Sequence, residues 1–175
     1  MTHPDLGITF RTRPDGVVVM HCARADGTAT WQRQHGPRAA FFPMHDLTHF
    51  AVETVLGARD AFFGLIAAGW DIGETDGKGA RGPLPPEAVL VEHLVGVVSQ
   101  DRLGGSAPLT AAELEEMLSP LVARGELPRA RVTDGGLARA RAERDRLQDA
   151  WARCPTDTPF TLDYHRPARS TLLAG

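Results

Sequence analysis

Two turn signals near the N-terminus, followed by an abrupt change of hydrophobic period, decide the fold class of this chain. Pro14-Asp15-Gly16 joins a fixed φ at proline to a glycine that takes positive φ without steric cost, and Ala25-Asp26-Gly27 supplies a second turn. They separate the alternating Ile8–Arg13, the β-branched and apolar Val17–Cys22, and Thr28–Arg33. Three strands joined by two short turns predict an antiparallel meander. From Met44 onward apolar residues recur at helical spacing instead. The predicted architecture is therefore α+β: a small N-terminal meander of about three strands over residues 7–34, then about five helices over residues 44–153. A short tail covers residues 154–175, and without an internal repeat or a boundary signal the whole of 1–175 reads as one domain.

The helices follow from their faces and their ends. In Met44–Leu56, Leu47, Phe50, Ala51 and Val55 share an apolar side, and Gly57 ends or bends the helix. The next, about Arg59 to Trp70, is apolar nearly all round and so is expected at the centre of the fold. The Gly- and Pro-rich Asp71–Pro86 is a long loop with the character of a lid. A third helix, about Glu87 to Asp101, turns Val89, Leu90, Leu94, Val97 and Val98 inward, and Gly104-Gly105 stops it. Thr110 and Glu113 form a capping box for a fourth helix that runs to about Arg124. The fifth runs from about Gly136 to Arg153, opened by Asp134, and docks through Leu137, Ala140, Leu147 and Trp151. Phe160–Tyr164 reads as a short strand, and the last ten residues are expected to fray.

Composition narrows the function classes. A hydrophobic fraction of 42% and a charged fraction of 23% suit a chain that buries a core. A formal net charge of −3 argues against a general nucleic-acid binder or an anionic-membrane binder. No apolar run approaches the roughly 20 residues of a membrane span, and the polar start Met1–Asp5 is unlike a signal peptide. Cys22 and Cys154 are too few for a disulfide scaffold, so a reducing cytoplasm is the expected location. Lys78 is the only lysine beside 18 arginines, a bias that points to GC-rich coding and a bacterial source more than to a chemistry.

One stretch carries a chemical pattern. His45-Asp46-Leu47-Thr48-His49 places two imidazoles one helical turn apart on one face, where both can reach a single metal ion. Glu53 extends that stripe, but eight residues from His45 is about 12 Å along a helix, too far for all three to share one ion. The third ligand is therefore expected from another element: Glu92 or His93 on the third helix, Asp60 on the second, or Asp71 at the loop entrance. Asp46 and Glu53 are the candidate catalytic acids. Glu53 can orient an imidazole through its other nitrogen or act as a base on metal-bound water.

His45-Asp46-x-x-His49 resembles the H-E-x-x-H helix of zinc metallopeptidases with Asp in place of Glu, which implies a zinc ion and a general-base role for Asp46. Asp46 is one methylene shorter, and no Gly-x-x-His extension follows. The same residues resemble the H-D-x-x-H zinc motif of the coenzyme Q biosynthesis protein 4 family. That family's third ligand, a Glu twelve residues after the second His, falls here on Ala61, beside Asp60. The H-D-x-x-H-x-x-x-E helix, within the wider stretch His45–Ile72, is similar to small bacterial proteins of unknown function.

Other signals carry less. Gly77–Gly82 spells G-x-G-x-x-G with no strand before it, and so reads as a flexible loop. The acids Asp71, Glu74 and Asp76 lack EF-hand spacing. His21 is a distant candidate ligand, though a strand histidine with ordinary partners accounts for it. Arg139, Arg141, Arg144 and Arg146 alternate with acids at i,i+4 spacing, as an ion-paired solvated helix does. Two readings compete. One is a metal-dependent, hydrolytic enzyme acting on a small-molecule substrate and using one divalent transition-metal ion, zinc first, then iron, manganese or nickel. The other is a non-catalytic homo-oligomeric interaction module, such as a homodimer, whose histidines are structural.

Overall fold

A computed structural model describes residues 3–100 and 107–174. The N-terminal meander is present as β1 (Leu6–Thr12), β2 (Val18–Arg24) and β3 (Ala29–Gln34), and five helices follow. A fourth strand, β4 (Phe160–Tyr164), closes the chain back onto β1, so the sheet order is β3-β2-β1-β4, antiparallel throughout. Cross-strand register sorts the side chains: Ile8 lies opposite Cys22 and Leu162, and Phe10 opposite Met20 and Phe160. Leu6, Ile8, Phe10, Met20 and Cys22 are buried on the inner face.

The helices are α1 (Pro37–Leu56), α2 (Phe62–Ala67), α3 (Pro86–Gln100), α4 (Ala111–Ala123) and α5 (Asp134–Ala152). Helix α1 starts seven residues before the expected Met44, with Pro37 in its first turn, where a missing N–H costs nothing. It then runs through Pro43, the residue that made Met44 look like a beginning. Gly57 ends it in the left-handed conformation, φ 71°. Helix α2 is shorter than Arg59–Trp70 because the Glu87 carboxylate takes the amides of Arg59 and Asp60 while Ala61 stays extended. The α4 capping box between Thr110 and Glu113 is formed. The start of α5 is capped by Thr133, one residue before the expected Asp134. The Gly104-Gly105 stop lies outside the described residues.

Within Asp71–Pro86 a short 3-10 turn, Ile72–Glu74, buries Ile72, and Arg81 ties the loop to Glu74 and to the Gly69 carbonyl. The expectation of a frayed C-terminus is corrected. Leu172 is buried, Ser170 donates to Glu87, and the backbone around Leu173 pairs with Ala130. A chain end that buries an apolar side chain and satisfies its own amides does not fray.

Helix α1 belongs to two apolar clusters. Leu47, Phe50 and Ala51 pack with the sheet, with Phe63 and Ile66 of α2 and with Leu147 of α5. Val52 and Leu56 pack with Leu90, Val91 and Leu94 of α3, with α4 and with Leu137. A helix held on two sides presents its remaining stripe, His45 and His49, toward α2 and α3. Among the described residues no helix is long and apolar enough to cross a membrane.

Candidate metal centre

The i,i+4 spacing on α1 stacks the His45 and His49 rings with centroids 4.8 Å apart. Across from them, α3 supplies the third group. Glu92 Oε1 lies 3.3 Å from His49 Nε2. One ligand atom from each of His45, His49 and Glu92 falls within 4.8 Å of the others, so the three are positioned to hold a metal ion. Two ligands of a tetrahedral ion, each about 2.1 Å from it, stand about 3.4 Å apart, and the His49–Glu92 separation matches that edge. His45 Nδ1 is buried with no hydrogen-bond partner. A buried ring nitrogen without a partner is open to a ligand.

Behind His49 stands a second carboxylate. Glu53 Oε1 is 3.3 Å from His49 Nδ1, the nitrogen that faces away from Glu92. Glu53 is wholly buried, and it also accepts the backbone N–H groups of Phe63 and Gly64 at the start of α2. Asp46 is buried as well. Its Oδ1 lies 3.7 Å from His45 Nδ1, too long for a hydrogen bond, while its Oδ2 accepts from Gln32 Nε2 on β3.

Burial alone would depress the His49 imidazole, but hydrogen bonds to Glu53 and Glu92 outweigh it and lift it to about 10. Burial pushes Glu92 up, yet its hydrogen bond to His49 and the nearby His45 and His93 bring it below the ordinary carboxylate range. Burial pushes the Asp46 carboxyl up. With its ring nitrogens between two carboxylates, His49 binds a proton tightly where it would otherwise bind an ion.

The other sequence candidates lie elsewhere. His93 follows Glu92 but is exposed and outside the three-residue group. Asp60 pairs with Arg166 of the C-terminal segment. Asp71 caps the 3-10 turn and pairs with Arg24. His21 is exposed on the outer face of the sheet.

Sequence reasoning missed four contributors: Gln32 behind Asp46, the amides of Phe63 and Gly64 behind Glu53, and the ring of Phe62, centred 5.3 Å from His49. None carries a local signal, because each arrives from an element distant in sequence. Phe41, 59% exposed, flanks the open side of His45 with ring centroids 5.5 Å apart. No protein family, curated protein or solved structure matches this chain.

Proposed function

We propose that this chain is a metal-dependent enzyme of hydrolytic type, with His45, His49 and Glu92 as the protein ligands of one divalent transition-metal ion. One observation carries the reading: three ligand atoms from two helices converge within 4.8 Å, and the ring at their centre is backed by the buried Glu53. Carboxylate–histidine–metal alignment of this kind fixes the tautomer and raises ligand basicity. Three protein ligands leave a fourth tetrahedral position open, the pattern of catalytic zinc sites and not of structural ones. Two imidazoles and one carboxylate favour zinc and also accept iron(II), manganese or nickel. A bound ion would supply Lewis-acid polarisation of a carbonyl or phosphoryl oxygen, or an acidified water.

Asp46 and Glu53, the sequence candidates for proton transfer, take a different part in this reading. Each stands on the Nδ1 side of a histidine, and Glu53 has its oxygens engaged by His49 and two backbone amides. Glu53 is a positioning residue for His49, whereas Asp46 makes no hydrogen bond to His45 and is held by Gln32. The half-buried His45 and the exposed Glu92 mark the side from which a substrate enters, past Phe41.

The test is elemental analysis of untagged protein purified without chelator, followed by reconstitution with zinc, iron(II), manganese and nickel. About one ion per chain is expected, lost in His45→Ala and His49→Ala and weakened in Glu92→Gln. Hydrolysis of p-nitrophenyl acetate or p-nitrophenyl phosphate should follow metal content. No ion taken up after reconstitution, or full metal content in both histidine variants, removes the proposal.

A second reading has its own supporting observation. Glu53, His49 and Glu92 form a contiguous carboxylate–imidazole–carboxylate chain without any ion, which suits a structural imidazolium. In that case His49→Ala lowers stability and nothing else, and the chain is an interaction module. Reconstitution decides between the two readings.

A further inference from the structure

Helices α1, α2 and α5 cover the inner face of the sheet and leave the outer face open. That face is not neutral. Across the strands, Trp31 lies opposite His21 and His21 opposite Thr9, while Arg33 lies opposite Val19 and Val19 opposite Arg11. With Arg13 and Asp157 these residues line a shallow hollow of about 600 Å³. Three guanidinium groups line the hollow with one carboxylate, which among the described residues pairs with Arg11 in an exposed contact at 3.7 Å. Exposed pairs of this kind contribute little and exchange readily for a stronger anion. Trp31 is 56% exposed, unusual for the largest apolar side chain, and the Arg33 guanidinium sits 4.7 Å from its ring centre.

We infer that this open face binds single-stranded nucleic acid, with Trp31 as a base-stacking platform and Arg11, Arg13 and Arg33 as phosphate contacts. Stacking on an exposed aromatic beside a basic groove is how single strands are held without sequence readout. The net charge of −3, which argues against nucleic acid for the chain as a whole, is a sum and does not describe this face. On an acidic molecule a locally basic face is where a polyanion lands. A second copy of the chain is disfavoured as the occupant, because two-fold pairing of the face would set its arginines against one another. An acidic peptide would satisfy the arginines but would leave the indole face away from Arg33 without a planar partner.

The experiment is fluorescence anisotropy with 5′-labelled dT12 and U12 at several salt concentrations from 50 mM, with and without EDTA. Binding should weaken with salt at a log–log slope of about −2, as three single-strand phosphate contacts require. Trp31→Ala should weaken binding roughly tenfold. Arg11→Gln and Arg33→Gln should each reduce the slope by about 0.7. EDTA should change nothing, so failure here is distinguishable from failure of the metal site. These side chains are exposed, and far-UV circular dichroism of each variant checks that the fold is kept. Three outcomes each overturn the inference: no binding at 50 mM salt, affinity unchanged in Trp31→Ala, or equal affinity for poly-glutamate.

Discussion

At the scale of single residues the site is a chain of charges, Glu53–His49–Glu92, and its behaviour without metal follows from the imidazole at its centre. A histidine raised from 6.5 to about 10 keeps its proton in the folded state while the unfolded chain releases it. The stabilisation is therefore complete below pH 6.5 and is lost as pH rises through about 10. From His49 alone, chelator-treated protein should lose on the order of 1–2 kcal/mol between pH 6.5 and 8, against a limit of about 1.4 kcal/mol per pH unit for one proton. The Asp46 and Glu53 carboxyls, both raised by burial, add loss of the same sign. Urea midpoints at the two pH values measure the loss. The pH range stops at 8 because the buried Cys22 thiol, pushed up to about 12 chiefly by burial, adds its own alkaline loss above the ordinary thiol range. In Glu53→Gln an amide oxygen can still accept from Phe63 and Gly64, but the negative charge behind His49 is gone. The pH slope should then flatten. An unchanged slope would mean that Glu53 does not hold the proton on His49.

At the scale of elements the site depends on α2, a helix of six residues whose first amides close on Glu53. Gly64 makes this approach feasible: a Cβ there would stand 1.9 Å from the Arg59 carbonyl oxygen and 3.3 Å from the Tyr164 hydroxyl. Gly64→Ala must push α2 away from the Arg59 turn, at a cost of about 1–3 kcal/mol, and it should weaken metal binding through a displaced Glu53. Calorimetric unfolding and a zinc titration of the variant measure both effects, and wild-type values in each would refute the coupling. This dependence also shows what could be read beforehand. The meander was legible because its turns carry local backbone chemistry, and the histidine pair because i,i+4 on one helix is a local geometry. Glu92 was legible only as one of four candidates, with His93, Asp60 and Asp71, since helix packing is what brings it and not the others to His49. The seven residues of α1 ahead of Met44 were hidden by Pro43, which the helix accommodates. The end of the chain looked frayed because nothing within Arg166–Gly175 announces that Leu172 has a cavity to fill.

At the scale of the whole molecule that C-terminal segment is a clamp on the two helices that carry His45, His49 and Glu92. Thr171 donates its backbone N–H to the Gly57 carbonyl and its hydroxyl to that of Leu56, at the end of α1. Ser170 donates to Glu87 at the start of α3. Arg59 holds the carbonyls of Pro167 and Ala168, and Arg166 pairs with Asp60. Removing residues 165–175 uncovers the site of Leu172, worth about 1.5–3 kcal/mol for a buried leucine, and breaks several hydrogen bonds worth roughly 1 kcal/mol each. The truncated chain should therefore be less stable by at least about 2 kcal/mol. Leu172 belongs to the same apolar cluster as Val52, Leu56, Leu90, Val91 and Leu94, but the direct packing of those α1 residues on those of α3 needs no residue beyond 164. Zinc should therefore still raise the melting temperature of the truncated chain, from a lower starting point. If truncation instead leaves stability unchanged and abolishes the zinc response, the clamp and not the core sets the distance between the two halves of the site.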